Sequence, residues 1–200
     1  MPHIVAKNLG VQRGFTRLFG DLGFSADAGQ ILWLQGANGT GKTSLLRALA
    51  GLLSYDGRIS WEKADIRADM DAYMCGLAWL GNADGVRGEL TVLENAEFLG
   101  GTGDVVSALN YFGLGDLAAI PARFLSAGQR KRIALAGLWM QQNKPLWLLD
   151  EPLVHLDESA VKQLSSLLSA RQKKGLITIF ASHQPLPDLQ CDVLQLGARS

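Results

Sequence analysis

Gly36-Ala-Asn-Gly-Thr-Gly-Lys-Thr43 is the stretch on which the fold of this chain turns. It has the spacing G-x-x-x-x-G-K-[ST] and stands between the apolar run Ile31-Leu-Trp-Leu34 and a helical pattern from about Lys42 to Ala50, with Gly51 as the stop. A strand, a glycine bend and a helix in that order make a cradle for an anion. Gly36, Gly39 and Gly41 allow the tight turn that points successive backbone N–H groups inward, and the helix adds the positive end of its dipole. Lys42 is expected to reach the β- and γ-phosphates of a bound nucleotide, and the Thr43 hydroxyl to ligate Mg2+. Ala37, Asn38, Thr40 and Ser44 complete the expected nucleotide-binding set.

A second apolar run, Leu146-Trp-Leu-Leu149, ends in Asp150 and Glu151. Without polar alternation it reads as a central parallel strand covered on both faces, and ligands of open parallel sheets bind beyond such strand ends. Asp150 is expected to hold Mg2+ directly or through water, and Glu151 to polarise the attacking water as general base. His183 follows another apolar strand, Leu176 to Ala181, so it is expected at the same sheet edge, against the γ-phosphate and the water. Lys42, Glu151 and His183 are therefore the expected catalytic residues.

Outward from these motifs, the pattern predicts strands at His3 to Val11 and Leu22 to Ala26, with a polar turn containing Gly14 and Gly20 between them. Further strands are predicted at Gly57 to Ser60, Leu77 to Leu80 and Val193 to Leu196. Helical periodicity covers Thr91 to Leu99, Asp104 to Phe112, Gly128 to Met140 and Glu158 to Gln172, the last with a stripe of Val161, Leu164 and Leu168. Strands, a helical insert, then strands and helices again imply an α/β core with an all-helical lobe.

Leu125-Ser-Ala-Gly-Gln129 opens the third of those helices. Taken alone, it is a serine N-cap before an ordinary helix. In this order of motifs it resembles the L-S-G-G-Q signature of the ABC (ATP-binding cassette) ATPases, with Ala127 in place of the first glycine. The resemblance extends over nearly the whole chain. It implies a P-loop fold with a mainly parallel core sheet, an antiparallel N-terminal β subdomain and an inserted all-helical subdomain at approximately 84–142, all within one ATP-binding domain of residues 1–200.

The same resemblance implies ATP and Mg2+ as cofactors and a head-to-tail homodimer with ATP sandwiched between subunits. Ser126, Ala127, Gly128 and Gln129 of one copy would then face the phosphate loop of its twin. Val154-His-Leu-Asp157 is similar to the D-loop, with Asp157 reaching across that interface. Asn82 occupies the place of the usual Q-loop glutamine and keeps its amide one methylene shorter. Phe15, in Arg13-Gly14-Phe15, is the candidate ring for stacking on adenine.

More narrowly, Leu125 to Ala136, Pro145 to Pro152 and Ser182 to Leu186 are similar to the ATP-binding subunit of the bacterial cytochrome c maturation system, the haem-exporter ATPases. That likeness implies integral membrane transporter subunits as partners, through the Asn82–Glu94 stretch, and a peripheral place on the cytoplasmic face of the inner membrane. A transporter ATPase for another substrate, a soluble ABC ATPase of DNA repair or translation, and a nucleotide-gated scaffold are the alternatives.

Composition bears on that choice. The 19 basic and 19 acidic residues cancel, so the chain has no overall field to gather nucleic acid, and no nucleic-acid partner is expected. No stretch approaches the roughly 18 apolar residues of a membrane span, and the N-terminal residues lack a signal-peptide pattern. Cys75 and Cys191 are expected as buried, reduced thiols, and Trp33, Trp139 and Trp147 as packing residues.

Overall fold

The computed structural model describes residues 3–197. Its centre is a five-stranded parallel sheet ordered β6-β7-β8-β3-β9, formed by β3 (Ile31–Gln35), β6 (Leu77–Leu80), β7 (Leu146–Asp150), β8 (Ile177–Ala181) and β9 (Asp192–Gln195). Beside it stands an antiparallel sheet ordered β2-β1-β4-β5, from β1 (His3–Arg13), β2 (Thr16–Asp27), β4 (Asp56–Trp61) and β5 (Ala64–Asp65). Between β6 and β7 the long elements are helices: α3 (Val92–Gly100), α4 (Val105–Tyr111) and α5 (Ala127–Met140). Helix α1 (Lys42–Leu49) follows β3, α2 (Met70–Cys75) precedes β6, and α6 (Glu158–Lys173) joins β7 to β8.

The unbroken apolar runs are explained by a sheet with a core on each face. Leu146 and Leu148 of β7, with Leu32, Leu34, Ile177 and Ile179, pack towards α1 and the antiparallel sheet, meeting Leu45, Leu46, Leu49, Ile4 and Ile59. Trp147 and Leu149, with Ile31 and Phe180, pack towards α5 and α6, meeting Ile133, Leu135, Leu164 and Leu168. Successive side chains of a strand point to opposite faces, so a strand covered on both must be apolar throughout. Each such Leu or Ile contributes about 1.5–3 kcal/mol by leaving water.

Arg171 closes the open ends of this core. It is 1% exposed, and its guanidinium donates to the carbonyls of Gln142 at 2.6 Å, Lys144 at 3.0 Å and Ile177 at 3.2 Å while lying 3.8 Å from the centre of the Trp147 ring. Arg171→Met removes all three hydrogen bonds, one to a buried carbonyl and two to half-buried ones. We expect it to destabilise the fold by about 3 kcal/mol, and thermal unfolding should show a midpoint roughly 6–12 °C lower.

Several expectations are corrected. The first hairpin is longer than its apolar pattern, because Arg13 pairs with Thr16 across a two-residue tip of Gly14 and Phe15, and Gly20 lies inside β2. Towards that tip polar and apolar residues are mixed, with Phe15 in solvent while Leu18 and Phe19 pack against the core, so no clean alternation marks the strands. The buried stripe of α6 is Ala160, Leu164, Leu167 and Leu168, with Val161 only half-buried at its margin. Cys75, at the end of α2, is exposed and Cys191 is half-buried; both are free, but neither is a core thiol. Helix α2 and strand β5 have no counterpart in the sequence reading: both are short and set among polar residues.

Candidate active site

Strands β6, β7, β8 and β3 are parallel neighbours, so the residues that follow them come to one sheet edge. An open cavity of about 520 Å3 lies there. Asn38, Gly39, Gly41, Lys42, Thr43 and Ser44 line it from the bend after β3, Asn82 from beyond β6, Glu151 from the end of β7 and His183 from beyond β8. Arg13, Thr16 and Leu18 of the first hairpin form its side wall.

The bend is built by backbone geometry. Gly41 caps α1 with φ of 100°, and a Cβ there would stand 2.9 Å from the Phe19 ring, so both the turn and the packing require glycine. Thr40, 8% exposed, donates its hydroxyl to the Ala37 carbonyl at 2.9 Å and locks the bend from within. Lys42 curls back over it, its ammonium donating to the carbonyls of Gly36 at 2.7 Å and Ala37 at 3.2 Å. A lysine held at the mouth of a ring of N–H groups presents its charge where an anion would bind.

Asp150 and Glu151 are adjacent in sequence and differ in surroundings. Asp150 is 2% exposed and accepts a hydrogen bond from the Thr43 hydroxyl at 3.1 Å. Burial pushes its carboxyl above the ordinary aspartate range, while the Thr43 hydroxyl and the charges of Arg47, Lys131 and Lys42 pull the other way. Glu151 adopts φ of 47°, a left-handed conformation costing a non-glycine residue about 1–3 kcal/mol. Its N–H is held by the Ala181 carbonyl at 2.9 Å, and the turn swings its side chain off the strand line. One carboxylate oxygen then lies 3.4 Å from His183 Nε2, at the cavity wall.

Thr43 and Asp150 offer adjacent oxygen donors beside the cradle, the hard ligands that suit Mg2+. Among the described residues no group of three or more His, Cys, Asp or Glu side chains could enclose a metal.

Ser126, Ala127, Gly128, Gln129 and Asp157 do not line this cavity. They form a separate patch. Ser126 is exposed and caps α5, its hydroxyl accepting from the Gln129 N–H at 3.2 Å while the Gln129 side chain accepts from the Ser126 N–H at 2.9 Å. A Cβ on Gly128 would stand 2.7 Å from the His155 carbonyl oxygen, so the 153–157 loop lies directly on the first turn of α5. Asp157 caps α6, accepting from the Ala160 N–H at 3.0 Å, and pairs with Arg132 of α5. Ala127 is half-buried beside them.

Phe15 projects from the hairpin tip with its ring wholly in solvent, so this hairpin faces the cavity through Arg13, Thr16 and Leu18 instead. A two-residue turn points its side chains away from the sheet, and no local pattern marks which flanking residues look back. Asn95 and Asp84 also carry structural weight that sequence reading missed. Asn95, fully buried in α3, donates to the carbonyls of Arg87, Leu90 and Thr91 and accepts from the Arg87 N–H, which fixes the loop before α3. Asp84 caps its own loop at the Val86 N–H and pairs with Arg130 at 3.9 Å.

Comparison with known proteins agrees with this architecture. Residues 19–154 match the family model described as ABC transporter. Among curated relatives, the cytochrome c biogenesis ATP-binding export protein CcmA of Mannheimia succiniciproducens is 41% identical, with 94% of this chain and 91% of that protein aligned. The protein of that name from Escherichia coli is 38% identical over 93% of this chain and 91% of its own length. Of solved structures, the ATP-binding subunit of an ABC transporter superposes with a TM-score of 0.85 at 21% identity, covering 96% of this chain and 85% of that one. A bacterial Atm1-family ABC exporter with ATP bound gives 0.86 at 20% identity, covering 98% of this chain and 37% of the exporter. At that identity the structural likeness is one of fold.

Proposed function

This chain belongs to the ABC transporter family of ATP-binding subunits, and from that premise we propose that it powers a membrane complex of c-type cytochrome biogenesis, in haem export or release of a haem-carrying chaperone. One observation carries the catalytic part of this reading: Lys42, Thr43, Glu151 and His183 line a single cavity, with Asp150 bonded to Thr43 behind it. The relatives named above are cytochrome c biogenesis export proteins, which supports the cellular role.

In this reading residues 36–44 bind the triphosphate through backbone N–H groups, and Lys42 holds the β- and γ-phosphates. Thr43 and Asp150 would hold Mg2+, which neutralises phosphate charge when bound. Glu151 orients the attacking water and takes up its proton, and His183, within reach of Glu151, keeps the water and the γ-phosphate in register. Asn82 sits at the cavity rim, where it reports phosphate occupancy to the 82–94 loop and the membrane partner.

The exposed Ser126 patch completes the site of a second copy. Two chains meet head to tail, Ser126, Gly128 and Gln129 of each covering the nucleotide on the other, with Asp157 near the seam. The helical insert of about 84–142 moves as a subdomain when the dimer closes and reopens. Among the described residues no helix is long and apolar enough to cross a membrane, which fits a peripheral subunit on the cytoplasmic face of the inner membrane.

A bacterium deleted for this gene and supplied with wild-type protein should regain covalently haem-stained c-type cytochromes. Ser126→Arg should fail to restore them. Purified Ser126→Arg should bind ATP within about twofold of wild type yet lose about a hundredfold of turnover, because a bulky cation replaces the group that contacts the neighbour's nucleotide. Full cytochrome maturation in the deleted strain without the protein would overturn the cellular role; normal turnover by Ser126→Arg would overturn the shared site.

A further inference from the structure

Trp33 of β3 does more than pack. Its indole lies within 6° of parallel to the Phe180 ring with centroids 6.0 Å apart, and β3 and β8 pair in register at these two residues. A phenyl ring would serve that stack as well; what tryptophan adds is an N–H donor. That donor reaches the Ser182 carbonyl at 2.9 Å. Ser182 stands just beyond the end of β8 and just before His183.

His183 depends on such a hold. Its side chain is 58% exposed, so packing does not fix the imidazole, and its place 3.4 Å from Glu151 is set by the backbone that carries it. That backbone is gripped at neighbouring points. The Ala181 carbonyl accepts from the Glu151 N–H at 2.9 Å, the Ser182 carbonyl accepts from Trp33, and the Ser182 hydroxyl accepts from the Gln184 N–H at 3.2 Å. The first of these holds comes from the end of β7 and the last from within the turn itself. Trp33 supplies a side-chain hold from β3, the strand that runs into the phosphate bend at Gly36.

We propose that Trp33 is a positioning residue for ATP hydrolysis: its indole N–H fixes the Ser182 carbonyl and so sets where His183 stands against Glu151 and the γ-phosphate. This rests on the reading of His183 as the residue that keeps water and phosphate in register. The bond ties that histidine to the strand bearing the phosphate bend, so both are located from one element. A Ser182 carbonyl freed from the indole would turn to water, and the peptide before His183 would lose its fixed orientation. The bond involves no residue of the 36–44 bend, so nucleotide binding does not depend on it.

The test measures ATP turnover and equilibrium ATP binding by the full chain. Trp33→Phe keeps a ring against Phe180 and removes the donor; kcat should fall roughly threefold to thirtyfold, with ATP affinity within about twofold of wild type. His183→Ala should lose about a hundredfold of turnover. Because Trp33 acts through His183, the double variant should turn over within about twofold of His183→Ala, whereas two independent structural effects would multiply. Should Trp33→Phe fold poorly, 3-benzothienylalanine at position 33 gives the same comparison, since sulfur replaces the N–H in a bicyclic ring of the same shape. A well-folded variant of either kind with wild-type kcat, or losses that multiply in the double variant, would overturn the inference. His183→Ala separates the two levels. Slow turnover there beside a normal Trp33 variant removes the role of Trp33 alone; wild-type turnover there removes the role of His183, and this inference with it.

Discussion

Glu151→Gln is expected to slow ATP hydrolysis by about a hundredfold to ten-thousandfold while leaving nucleotide binding intact. The substitution keeps the size and one oxygen of the side chain, so the left-handed turn at φ of 47° and the N–H bond to Ala181 remain. What it removes is a negative charge and proton acceptor lying 3.4 Å from His183 at the cavity wall. Binding depends on the 36–44 bend, which Glu151 does not support, so the loss should appear in kcat rather than KM. The variant should also accumulate as a closed, ATP-loaded dimer, visible as a shift in size-exclusion chromatography with ATP and absent with ADP. Turnover within a few-fold of wild type would remove Glu151 from the role of general base.

Lys42→Ala should produce the complementary failure. In the proposed reading its ammonium meets the phosphates, and a charge-assisted hydrogen bond is worth about 1.5–3 kcal/mol, so ATP affinity should fall roughly tenfold to a hundredfold. The same ammonium ties down the carbonyls of Gly36 and Ala37. The alanine variant therefore also loosens the bend itself, and adding more nucleotide should not restore full turnover. Equilibrium binding of a fluorescent ATP analogue separates the two variants: Lys42→Ala loses binding and turnover, Glu151→Gln turnover alone. Binding by Lys42→Ala at wild-type strength would place the phosphates elsewhere.

These two expectations rest on residues that local pattern could reveal. The cradle is a contiguous stretch whose spacing encodes its own geometry, and Asp150–Glu151 ends a run so apolar that only a central strand accounts for it. Other parts of the site were invisible for a physical reason. Arg13, Thr16 and Leu18 face the cavity because a hairpin curls over it, and Phe15 points away because it occupies the turn. Gly128 reads in sequence as a residue that lets backbone approach a ligand. The structure adds a contact within the chain, the His155 carbonyl lying where its Cβ would be.

By itself the sequence determined the order of the longer strands and helices, the buried strands β7 and β8, the glycine bend after β3 and the carboxylates after β7. Those follow from the local rules of hydrogen bonding, side-chain alternation and glycine geometry. Only the tertiary structure decided which distant residues share an environment: Thr43 with Asp150, His183 with Glu151, and Arg13, Thr16 and Leu18 with the bend after β3. The reason is that charge and burial act through space. Arg13, on an outlying hairpin, joins the cavity wall only when that hairpin folds beside the bend after β3.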